Sequence, residues 1–126
     1  MKLRIKGNSL RLRLSRSEVD CLLAHGRIEE TIYFASGEAA KLTYALEHAD
    51  SDREIWINAL SQSLTIFLST ESATRWCKGV EVGIYGDSDT DHGVLELMVE
   101  KDFACLDRSD AENEDTFPNP HAGLAC

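Results

Sequence analysis

Apolar and polar residues alternate through most of the chain, and the alternation breaks in the same manner twice. Residues 2–6 read Lys-Leu-Arg-Ile-Lys, and after Gly7-Asn8-Ser9 the pattern resumes as Leu10-Arg-Leu-Arg-Leu14. Period-two patterning on both sides of a Gly-Asn turn predicts a β-hairpin. Leu3, Ile5, Leu10, Leu12 and Leu14 lie on one face, and Lys2, Arg4, Lys6, Arg11 and Arg13 on the other. In the next stretch Ser15 or Ser17 can cap a helix, with Glu18 and Asp20 in its first turn. Val19, Leu22 and Leu23 form its apolar stripe, and Gly26 stops it. Two further alternating runs follow, Ile28–Phe34 and Leu42–Leu46.

The pattern then starts again. EIWINALSQSLTIFLS reads as a second pair of strands, and Ser69 or Thr70 opens a second short helix carrying Ala73, Trp76 and Cys77. Val80–Tyr85 and Val94–Glu100 complete the set, separated by GDSDTDHG. Leu10, Leu12, Leu14, Ser15, Val19 and Leu22 fall on Leu64, Ile66, Leu68, Ser69, Ala73 and Trp76 at an offset of 54. Leu42, Tyr44 and Leu46 fall on Leu95, Leu97 and Val99 at 53, and Ile5 falls on Ile57 at 52. The last offset makes the second hairpin loop two residues longer than the first. The reading is two duplicated strand-strand-helix-strand-strand units, 2–48 and 54–101, sharing one core because neither could bury enough alone. The expected fold is α+β: a mostly antiparallel sheet of about eight strands, curled, barrel-like or folded into two layers, with two short helices. The whole of 1–126 is a single domain, with 102–126 a docked C-terminal strap. Phe117-Pro118-Asn119-Pro120 is stiff enough to dock on the sheet or a helix at low entropic cost.

Length and charge narrow the function classes. A chain of 126 residues, 43% hydrophobic, supplies one core. No run approaches the roughly 20 apolar residues of a membrane span, and the N-terminus lacks the apolar block of a secretion signal. A cytoplasmic location with reduced thiols is therefore expected. The net charge is −9, yet six of the thirteen bases lie in the first sixteen residues, without an acid among them. That balance argues against nucleic acid and membrane partners and leaves a small anion or a protein as candidates.

The C-terminal segment brings Cys105, His121 and Cys126, which have the chemistry to ligate zinc, copper or iron. A fourth ligand could come from Asp102, Asp107, His25, His48 or His92. The chain has no close C-x2-4-C pair of the kind that opens structural zinc sites. Cys21 and Cys77 flank apolar helix positions and read as buried thiols. The basic hairpin face of Lys2, Arg4, Lys6, Arg11 and Arg13 is the second candidate. Like charges across a hairpin repel, so Glu29, Glu47, Glu96 and Glu100 are expected neighbours. Turned into a closed sheet, this face would line a tunnel for a phosphorylated anion. Tunnel-type triphosphate hydrolases open with Glu-x-Glu-x-Lys where this chain has Lys-Leu-Arg-Ile-Lys, so a solvated, salt-bridged outer face is expected. Gly86–Gly93 has the composition of a calcium loop but lacks its twelfth-position Glu, and reads as a solvated turn. Serine elbows, phosphate-binding glycine loops, dinucleotide fingerprints and HExxH are absent.

The opening MKLRIKGNSLRLRLSRSEV, with VEKDFACLDR and FPNP near the end, resembles a family of small uncharacterised bacterial proteins of similar length. The resemblance implies a bacterial origin and a free-standing domain, and carries no activity or site residue with it. Three functional readings remain: a binding or accessory module holding a transition metal through the tail, an enzyme or carrier for a phosphorylated anion, and a protein–protein adaptor.

Overall fold

The computed structural model describes residues 1–103 and 114–118. The alternating stretches form eight strands: β1 Lys2–Ile5, β2 Ser9–Leu14, β3 Arg27–Tyr33, β4 Lys41–Ala49, β5 Ile55–Leu60, β6 Ser63–Ser69, β7 Gly83–Thr90 and β8 Gly93–Lys101. Two helices, α1 Arg16–His25 and α2 Thr70–Lys78, each follow the second strand of a hairpin. The fold is α+β with short helices. Its strands divide into two four-stranded sheets, ordered β1-β2-β8-β7 and β3-β4-β6-β5, and do not close into a barrel. Each sheet takes one hairpin from the first half of the chain and one from the second. The hairpins are antiparallel, and they join through central parallel pairs, β2 with β8 and β4 with β6.

Several pairings recur between the two sheets. Leu10 lies opposite Leu97 as Leu64 lies opposite Tyr44, and Leu12 opposite Val99 as Ile66 opposite Leu46. They also correct one alignment. Leu3 pairs with Leu12 and Ile57 with Ile66, so Leu3, not Ile5, occupies the place of Ile57. Ile5 and Leu10 close the first turn as Ala59 and Leu64 close the second, with equal spans between them. A shift of two residues preserves the inward face, so alternation alone does not detect it.

Capping sets the helices. Ser15 accepts from the Glu18 amide while Glu18 accepts from the Ser15 amide, a complete capping box on α1. Ser69 caps α2 by accepting from the Ser72 amide at 3.1 Å. Gly26 ends α1 in a left-handed conformation, φ 82°, which a side chain would resist.

The core lies between the sheets and under the helices. Leu12, Leu14, Leu22, Leu46, Ile66, Leu68, Trp76 and Val99 are fully buried within it. A buried leucine contributes about 1.5–3 kcal/mol relative to its exposed state, so these side chains dominate the adhesion of the layers. β7 begins at Gly83, three residues later than Val80-Glu81-Val82 alternation suggests. Those residues instead form the α2–β7 connection, where the Val82 carbonyl accepts from Trp76 Nε1 and the Lys101 amide. Strand β7 runs to Thr90 and β8 starts at Gly93, so most of the stretch read as a solvated loop is paired strand with a tight turn at Asp91-His92.

Residues 114–118 lie against the start of α1 and the exit of β8. The Phe117 amide donates to the Asp102 carbonyl, and its ring meets Phe103 edge-on at 5.9 Å. Asp115 accepts from the Ser17 amide and hydroxyl.

Candidate functional site

The apolar face of the first hairpin turns inward, and its basic face becomes the solvent side of the β1-β2-β8-β7 sheet. A tunnel lined by these bases is therefore excluded: Leu10, Leu12 and Leu14 point to the interior and are buried. Across the outer face, strand pairing sets Arg4 beside Arg11, Arg11 beside Met98 and Met98 beside Tyr85. One step toward the Gly7 turn, Ser9 lies beside Glu96, and Glu96 beside Asp87.

The five bases separate into two groups. Lys2 Nζ pairs with Asp102 at 2.9 Å, and Arg13 approaches Glu100 at 3.8 Å. Asp102 is 6% exposed. Arg4, Lys6 and Arg11 instead surround an open groove of about 650 Å³, completed by Gly7, Ser9, Glu96 and Met98. Arg11 Nε lies 3.0 Å from a Glu100 oxygen, close enough for an ion pair. Its angle does not make a hydrogen bond, so this buried N–H has no acceptor among the described residues. We read the contact as charge pairing that orients the guanidinium while leaving donor capacity. Arg11 Nη2 rests 3.6 Å from Met98 Sδ. Among the described residues no ion pair engages Arg4, Lys6 or Glu96. Tyr85 closes the far side of the face, donating to Glu100 at 2.7 Å. Burial, with that hydrogen bond, pushes its phenol up to about 12.

Of the expected acidic neighbours, Glu100 meets the basic face. Glu29 and Glu47 lie in the other sheet with Arg27, at 3.9 and 2.9 Å. Glu96, also an expected neighbour, lines the groove with the bases, and Met98 is the lining residue that was not expected. The alternation of β8 already put Glu96, Met98 and Glu100 on one side, but the parallel pairing that lays them beside Arg11 joins residues almost ninety apart and leaves no local signal.

Cys105, His121, Cys126 and Asp107 lie outside the described residues. Among the described residues no group of three His, Cys, Asp or Glu side chains could hold a metal. The other expected ligands are dispersed. His48 Nδ1 lies 3.1 Å from Thr70 Oγ1, Asp102 is with Lys2, His25 ends α1, and His92 sits in the β7–β8 turn. Cys77 is half-buried, and loss of solvent pushes its thiol up to about 11. Nearby, Lys101 is 5% exposed, and its ammonium donates to the Gly79 carbonyl at 2.8 Å beside the Trp76 and Phe117 rings. Burial pushes its pKa down, Cys77 and Glu81 opposing. These contacts close the end of α2 and seat Phe117, a structural assignment that accounts for the lysine.

Fold and groove together define a two-sheet α+β module with a cationic depression on one outer face. The chain belongs to a family of unknown function (DUF7009), whose model matches residues 1–121. No curated protein and no solved structure matches the chain. Among the described residues no helix is long and apolar enough to cross a membrane.

Proposed function

We propose that the protein is a binding module for a small phosphorylated anion, held at Arg4, Lys6 and Arg11. The observation that carries this reading is the convergence of Arg4, Lys6 and Arg11 on one groove, with Arg4 and Lys6 in no ion pair among the described residues and Arg11 Nε without a hydrogen-bond acceptor beside Glu100. Placing Arg4 directly across from Arg11 costs stability through like-charge repulsion. An anion between them removes that cost and gains charge-assisted hydrogen bonds. The surrounding charge of −9 favours a compact ligand over a polyanion that would extend across acidic surface.

Calorimetric titration with inorganic phosphate and pyrophosphate tests the reading. Each charged hydrogen bond contributes about 1.5–3 kcal/mol, so Arg4→Ala with Arg11→Ala should weaken binding at least tenfold. Lys2→Ala, outside the groove, should leave it nearly unchanged. Binding that survives the double substitution, or no binding by the unaltered protein, rejects the reading. The tail-metal reading rests on Cys105, His121 and Cys126, and elemental analysis of untagged protein against a Cys105→Ser, Cys126→Ser variant tests it.

A further inference from the structure

The groove changes sign across its width. Arg4, Lys6 and Arg11 form one wall and Glu96 stands on the other, with Asp87 on the strand beyond. Adjacent strands are about 4.8 Å apart, and residues two apart on a strand about 6.6 Å. Glu96 sits one strand over from Ser9 and two positions along β8 from Met98, the neighbour of Arg11. By backbone spacing it stands about 8 Å from Arg11 and about 12 Å from Arg4, a gap that the long side chains can narrow. Glu100, not Glu96, takes the ion pair with Arg11. An exposed acid beside three bases that leaves them unneutralised is an electrostatic feature a ligand can use.

We propose that the groove selects a zwitterionic phosphomonoester, its phosphate among Arg4, Lys6 and Arg11 and its protonated amine against Glu96. The inference rests on the anion-binding reading above and adds the identity of the second pole. A dianion without an amine places nothing against Glu96 and is repelled by it. A bisphosphate places its second charge next to Glu96 and Asp87, where like charges oppose it. An ammonium at that point pairs with the carboxylate and completes the alternation of charge across the groove. Met98, on the floor between the two poles, offers an apolar surface to a short aliphatic spacer.

Calorimetry at neutral pH compares O-phosphoethanolamine with ethyl phosphate, which lacks the amine and is one heavy atom smaller. The unaltered protein should bind the amine ester about fivefold more tightly, the upper end of what an exposed ion pair supplies. Glu96→Gln is isosteric at an exposed site, so it should fold normally, as its thermal melt will show. It should abolish the preference and leave ethyl phosphate bound as well as before, or better. Arg4→Ala with Arg11→Ala should weaken both esters together. Equal affinities in the unaltered protein, or a preference that persists in Glu96→Gln, overturn the zwitterion assignment while the anion reading stands. Failure of both esters and of inorganic phosphate to bind rejects the anion reading, and the assignment with it.

Discussion

Gly86 faces Ile55 where β7 approaches β5, at one junction between the edges of the two sheets. A Cβ at Gly86 would come 2.3 Å from Ile55 Cγ2. Ile55 is buried and β-branched, so it has few rotamers into which to retreat. Gly86→Ala is expected to destabilise by about 1–3 kcal/mol, seen as a lower urea midpoint at unchanged slope. An unchanged midpoint would mean that the edges part without cost. Cys77 offers a chemical readout of the same interior. With its thiol raised to about 11 by loss of solvent, on the order of one molecule in a thousand is thiolate at pH 8. Iodoacetamide should therefore label Cys77 far more slowly in native protein than in urea, as peptide mass mapping would follow. Equal rates would contradict the burial.

At the level of elements, the two helices are held by their first residues more than by their length. Neither is long enough to persist alone, so the caps and the packing of Val19, Leu22, Ala73 and Trp76 decide whether they form. Ser15→Ala removes the acceptor for the Glu18 amide and should cost about 0.5–2 kcal/mol, with Ser15→Asp restoring most of it in the same denaturation assay. Each cap was readable to within two residues, Ser15 or Ser17 and Ser69 or Thr70, and most of the strands were readable too, because alternation and a Gly-Asn turn are local. The start of β7 was not readable. Val80-Glu81-Val82 keeps the strand period, yet Val80 stands exposed and the Val82 carbonyl divides itself between Trp76 and the Lys101 amide of β8. Nor did the sequence reveal that each sheet mixes hairpins from both halves. The parallel pairs β2–β8 and β4–β6 are chosen by how two inner faces fit, and the period-two pattern satisfies other partners equally well. The groove shares that difficulty in part: its bases were legible and Glu96 was among their expected neighbours, but the pairing that sets Met98 beside Arg11 was not legible.

For the molecule as a whole, the two junctions between the sheets differ in their chemistry. Ile55 and Gly86 meet at one junction of the sheets. By the strand registers, Met1 and Glu30 occupy the corresponding places at the other. There the α-amine of Met1 replaces an apolar contact with charge, pairing with Glu18 and, at 3.0 Å, with Glu30. Burial tends to lower the pKa of this amine, but the hydrogen bonds it donates to Glu18 and Glu30, with their charges, outweigh it and raise the pKa above its usual 8.0. A group raised on folding adds stability that is complete below its unfolded pKa and is lost as pH rises through the folded value. The junction should therefore weaken from mildly alkaline pH upward, while the Ile55 junction does not. Acetylating the amine isolates the effect from other alkaline titrations. Acetylated protein should melt below the free form at pH 7, and the gap should close as pH approaches 10. A gap of constant size across that range, or none at pH 7, would show that the ammonium does not join the sheets.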